Sequence, residues 1–129
     1  MTDSLTFIGK ITTPYQDLNQ CPNNIQFDGP SCTITVFEGF AQGLKGLSAG
    51  EHILILYWLT DSKRDHNLQQ GKGGKGTFAL RSPHRPNPIG AAVLPITKIE
   101  NGVITVKGLD CLDGTPLLDI KPAIYREHS

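Results

Sequence analysis

The sequence predicts an all-β protein, a small barrel or sandwich with at most one or two short helical turns. Three observations carry that reading. Six or seven short segments rich in Val, Ile, Thr and aromatic residues recur along the 129 residues. Fourteen glycines and nine prolines punctuate them. Asn101-Gly102 sits between two β-favouring runs, which is the chemistry of a tight hairpin. No internal repeat or compositional break divides the chain, so residues 1–129 read as one domain.

In order, residues 5–11 read as a strand through Thr6, Phe7, Ile8 and Ile11, and Thr13-Pro14-Tyr15 ends it. Residues 16–30 are polar and broken at Pro22-Asn23-Asn24 and Asp28-Gly29-Pro30, a long connection of the kind that carries function or moves. Residues 32–37 alternate Ile34 and Val36 with Thr33 and Thr35, a half-buried strand. Phe40, Leu44 and Leu47 are spaced for one face of a short helix over 38–47. Gly39, Gly43 and Gly46 oppose it at roughly 1 kcal/mol each. Residues 52–59 are almost continuously apolar, which predicts a central strand buried on both faces. A short strand is expected at 77–80, and another at 91–100 with a bend at Pro95. Residues 96–99 and 103–106 flank the Asn101-Gly102 turn. Asp113-Gly114-Thr115-Pro116 is a further turn, and 117–124 is a loosely alternating segment cut by Pro122.

Twelve basic and twelve acidic residues cancel, which argues against a broad electrostatic grip on nucleic acid. The charges are nevertheless uneven. Lys63, Arg64, Lys72, Lys75, Arg81 and Arg85 face only Asp61 and Asp65 within residues 61–85, a local positive stretch suited to phosphate or simply solvated. The run Gly71-Lys72-Gly73-Gly74-Lys75-Gly76 lacks a following Ser or Thr and a helix, so flexible linker fits better than phosphate loop. Cys21, Cys32 and Cys111 are odd in number without Cys-x-x-Cys spacing, and read as free thiols. The longest apolar run, 53–59, is too short to span a bilayer. Met1-Thr2-Asp3-Ser4 has no signal-peptide character, so the expected location is the cytoplasm.

Two stretches carry chemistry. In Arg81-Ser82-Pro83-His84-Arg85-Pro86-Asn87-Pro88-Ile89-Gly90, three prolines fix their own φ and push Ser82, Arg85 and Asn87 toward extended backbone. A stiff loop bearing two arginines, a histidine and an asparagine is either a preorganised site or a solvated turn. His84 is the natural acid–base candidate there. Ser82 lacks the Gly-x-Ser-x-Gly context of a nucleophile. The second stretch, 109–122, concentrates Asp110, Asp113 and Asp119. Carboxylates at strand ends accept from a ribose diol or face a cation; with no histidine nearby in sequence, a metal site is not expected.

Together these stretches resemble the TsaA-like family of TrmO-type, S-adenosylmethionine-dependent tRNA methyltransferases, in a short form without their C-terminal domain. Ile8-Gly9-Lys10-Ile11, Gly43-Leu44-Lys45-Gly46-Leu47 and His52 extend the resemblance along most of the chain. It implies a β-barrel that works as a homodimer and methylates N6 of threonylcarbamoyl-adenosine at tRNA position 37. The alternative is an S-adenosylmethionine-binding module, or a methyltransferase for a small molecule. The resemblance assigns cofactor contacts to Ile25, Gln26, Phe27, Thr60, Asp61, Arg81, Ile89, Gly90, Ala91, Leu109, Asp110, Cys111, Leu112 and Asp113. His84 and Arg85 are the catalytic candidates, and Lys63, Arg64, Lys72, Lys75 and Arg85 are expected to meet tRNA phosphates. The chain departs from the family pattern at Asn23-Asn24, where Arg-Gln is usual, at Thr60, where His or another polar residue is usual, and at Ala123, where Tyr is usual.

Overall fold

A computed structural model describes residues 3–62, 64 and 74–124. Seven strands form one antiparallel sheet in the order β4-β3-β7-β1-β2-β6-β5. They are β1 (Gly9–Thr12), β2 (Ser31–Val36), β3 (His52–Trp58), β4 (Ile89–Pro95), β5 (Lys98–Glu100), β6 (Val103–Lys107) and β7 (Thr115–Pro122). Each long strand buries alternate residues, so one face of the sheet carries the core: Ile11, Ile34, Ile53, Ile55, Leu94, Ile104, Val106 and Leu117 are fully buried. The expectation that residues 52–59 are buried on both faces is corrected here. Ile53, Ile55 and Tyr57 point into the core while Leu54, Leu56 and Trp58 are half-exposed.

The expected closed barrel is also corrected. Edge strands β4 and β5 are not paired with each other. They are successive halves of one run, bent just beyond Pro95. The Ile96 N–H donates to the Glu51 carbonyl (2.9 Å), continuing the β3 side, and the next amide, Thr97, donates to Thr105 (2.8 Å), on the β6 side. The chain thus crosses from one sheet edge to the other at a bend, and the sheet curls until β4 packs against β6 without hydrogen-bonded closure.

Asn101 and Gly102 both have positive φ (52° and 79°), as the mirror-image hairpin turn between β5 and β6 requires. Two local readings change. The first strand starts only at Gly9; Leu5 and Phe7 are exposed. The short helix expected over 38–47 is present as a 3-10 helix over Glu38–Leu44, in keeping with Gly39 and Gly43; Leu44 and Leu47 pack on the core while Phe40 stays exposed. Thr77–Ala79 is a 3-10 turn, not a strand, with Thr77 buried as its anchor. A further 3-10 turn, Leu18–Gln20, interrupts the long first connection. None of the described helices is long and apolar enough to cross a membrane.

Candidate functional site

The two chemistry-bearing stretches meet. A cleft of about 670 Å³ is walled by the proline loop (Arg81 to Arg85), the start of β4 (Ile89, Gly90, Ala91) and the segment from Asp110 to Pro116. The end of β3 with Leu59, Thr60 and Asp61, and the first connection at Cys21 to Ile25, complete it. The volume falls within the roughly 300–1,000 Å³ of small-molecule sites.

The floor is built by Tyr57 and Asp110. Tyr57 is the last residue of the buried row on β3, so its ring is held in the core (2% exposed) while its hydroxyl reaches the cleft. That hydroxyl donates to Asp110 Oδ1 at 2.8 Å. Burial, reinforced by the adjacent carboxylate, holds the phenol well above its usual pKa, so it remains a donor. Gly90 lies under the ring; a Cβ there would collide with it, so the β4 backbone approaches the ring as no other residue would permit.

Three hydrogen bonds hold the acidic segment from behind. Thr13 Oγ1 donates to the Cys111 carbonyl (2.8 Å), the Thr13 N–H donates to Asp113 Oδ1 (3.1 Å), and the Asp113 N–H donates to the Tyr15 carbonyl (2.8 Å). Asp113 therefore pins its own turn to the exit of β1. On the opposite wall Arg81 Nη2 donates to the Ala91 carbonyl (3.0 Å). Arg85 Nη1 donates to the carbonyls of Leu80 (2.8 Å) and Ser82 (3.1 Å), and Arg64 Nε to that of Pro86 (2.9 Å). Two guanidinium groups thus brace the proline loop through its own carbonyls. Ser82 Oγ accepts from the His84 N–H (3.2 Å), a local turn bond.

Of the residues expected at a cofactor site, Ile25, Thr60, Asp61, Arg81, Ile89, Gly90, Ala91, Asp110, Cys111, Leu112 and Asp113 line the cleft, as do His84 and Arg85. Gln26, Phe27 and Leu109 do not. Gln26 is tied through its N–H to the Gly108 carbonyl (2.9 Å). Leu109 is fully buried in the core, because the residue between Gly108 and Asp110 turns inward. Arg64 and Lys75 lie off the cleft, and Lys63 and Lys72 fall outside the described residues, as do Gly71 and Gly73 of the glycine run. Tyr57, Leu59, Cys21 and Pro22 were not anticipated. Alternation along β3 puts Tyr57 on the face of Ile53 and Ile55, but nothing local announces its partner 53 positions away.

The cleft suits a nucleoside carrying a sulfonium: a carboxylate at Asp110, apolar walls at Leu59 and Ile89, and a strand surface at Gly90 opened by the missing Cβ. No group of three metal-ligating side chains is present among the described residues. Cys111 is no nucleophile here. Burial pushes its thiol up to about 12 from the usual 9.0. The folded state thus prefers the protonated thiol. Its stabilising share is complete below pH 9 and is lost as pH rises toward 12. Urea midpoints measured from pH 7 to 11 are expected to show the gap between the wild type and Cys111→Ala narrowing above pH 9, by up to about 1.4 kcal/mol per pH unit. A gap independent of pH overturns the assignment.

The family model of the tRNA-methyltransferase O N-terminal domain matches residues 10–127. A probable S-adenosyl-L-methionine-binding protein, VirR of Rhizobium radiobacter, is 47% identical over 122 residues, covering 92% of this chain and 70% of that protein. The mouse tRNA (adenine(37)-N6)-methyltransferase is 39% identical over 97 residues, 69% of this chain and 22% of the enzyme. A crystal structure of TrmO superposes with a TM-score of 0.80 at 31% identity, covering 96% of this chain and 58% of the crystallised one.

Proposed function

Since the chain belongs to the tRNA-methyltransferase O N-terminal domain family, we propose that it binds S-adenosylmethionine in the cleft and methylates N6 of the threonylcarbamoyl-modified adenosine at tRNA position 37. One observation carries the reading: the proline loop and the acidic segment, remote in sequence, form facing walls of one cleft with the Tyr57–Asp110 pair at its floor. When bound, the cofactor supplies an electrophilic methyl group on a sulfonium. The chain does the rest by positioning and water exclusion. Asp110, oriented by Tyr57, accepts from the ribose hydroxyls. Ile89 and Leu59 cover the apolar side. His84 would take up the proton that the acceptor nitrogen gives up as its new N–C bond replaces the methyl group's bond to sulfur. Arg85 holds the loop that presents His84.

The reading carries with it a homodimer acting where tRNA resides, in the cytoplasm. Phe7, Phe37 and Phe40, exposed around the Phe37 N–H to Ile8 carbonyl bond, offer apolar surface for a subunit contact. A second reading, a cofactor-binding protein without tRNA activity, is favoured by Asn23 and Asn24 at the cleft, where the family pattern has a cation.

Calorimetry with S-adenosylmethionine, paired with labelled methyl transfer into total tRNA and nucleoside digestion, separates the two. Expected are saturable binding and label in a modified adenosine. Binding without label in any tRNA pool supports the second reading, and absence of binding removes both.

A further inference from the structure

The geometry points to Phe78 as a stacking platform for an unpaired nucleobase of the RNA loop that enters the cleft; this rests on the tRNA reading above. Phe78 is 78% exposed, against 41% for Phe7, 46% for Phe37 and 44% for Phe40. Solvating a whole aromatic face is unfavourable, yet here the backbone is built to present it. Thr77, 1% exposed, anchors the 3-10 turn from inside, so the next side chain, Phe78, is thrown outward.

The Arg85 guanidinium lies over the ring, 5.8 Å from its centroid, and is itself held by the carbonyls of Leu80 and Ser82. Arg85 also lines the cleft. The ring is thereby placed at the cleft's edge and fixed in orientation on one side, while most of its surface stays in water. An oriented, solvated aromatic beside a cation is the surface on which single-stranded bases stack, with the cation near the sugar–phosphate chain. A purine next to the methylated adenosine is the ligand of matching chemistry.

The test uses the whole chain and a fluorescent anticodon stem-loop RNA, read by anisotropy, with sedimentation and cofactor calorimetry as parallel readouts. Phe78→Ala is expected to weaken RNA binding about tenfold. Cofactor affinity and sedimentation should be unchanged, Phe78→Trp should restore binding, and Phe78→Leu should not. In methyl transfer the loss should fall on KM for RNA, with kcat nearly intact. Equal binding by wild type and Phe78→Ala, or full rescue by leucine, overturns the platform while leaving the tRNA reading in place. A change in sedimentation on Phe78→Ala reassigns the ring to a subunit contact and also overturns it. Failure of the wild type to bind the RNA removes both.

Discussion

Asp110→Ala is expected to lower S-adenosylmethionine affinity by about a hundredfold, an effect of roughly 3 kcal/mol appropriate to a hydrogen-bonded carboxylate lost from a sheltered site. Asp110 is the acidic side chain at the cleft floor, with fully buried Leu109 on one side in sequence and buried Cys111 on the other. The backbone therefore has little room to re-aim it. Tyr57→Phe keeps the carboxylate but removes the 2.8 Å bond that orients it. Its expected cost is smaller, about tenfold. In the double variant the losses should fall short of additive, because the phenol acts through the carboxylate. Calorimetry on the four proteins checks this, with urea unfolding as the control. Cofactor affinity within threefold of wild type for Asp110→Ala would dismiss the floor as the ribose site.

Gly108→Ala is expected to destabilise the protein by about 4 kcal/mol or more, in the range reached only by severe backbone or core lesions. Gly108 has φ +88°, a left-handed conformation that costs an L-residue about 1–2 kcal/mol. A Cβ there would also run into the backbone carbonyl of Gln26, which has no flexible end to swing away. The same residue ties two segments twice over: its N–H donates to the Pro30 carbonyl (2.9 Å) and its carbonyl accepts from the Gln26 N–H (2.9 Å). Through these bonds the long first connection, which lines the cleft at Cys21 to Ile25, is set against the acidic segment. Loss of the tie should therefore remove cofactor binding together with stability. A urea midpoint within about 1 kcal/mol of wild type would refute the account.

Arg64, like Arg85, holds the proline loop through a backbone carbonyl while its guanidinium lies over an aromatic ring. Arg64 lies over Trp58 at 5.2 Å and donates to Pro86, bracing the loop from the β3 side. It was expected at tRNA phosphates on charge alone, and its Nε hydrogen bond gives it a structural task as well. Ion pairs such as Lys98–Glu100 and Lys121–Asp119, both well exposed, add little to stability.

Much of the fold was legible in the residues. Alternation in β2, the Asn101-Gly102 turn and the bend beyond Pro95 are all local properties, and local properties are written in the chain. So were two of the cleft's walls, since both stretches of unusual composition line it; Ile25, Thr60, Asp61 and Ala91 entered only through the family resemblance. What composition left open lies in long-range geometry. Leu109 reads as a site wall and is core, since its direction depends on how Gly108 turns against Gln26. Residues 77–80 read as a strand, whereas Thr77–Ala79 is a 3-10 turn whose first side chain, Thr77, is buried in the rest of the molecule.

The sequence by itself determined the all-β class and the hairpin, because each depends on neighbours within a few residues. Only the tertiary structure decided that the sheet stays open, that Tyr57 meets Asp110 and that Thr13 holds the segment around Asp113. Those contacts join positions 53 and 100 residues apart. They exist only once the curled sheet has brought the end of β3, the exit of β1 and the segment before β7 around a single cleft.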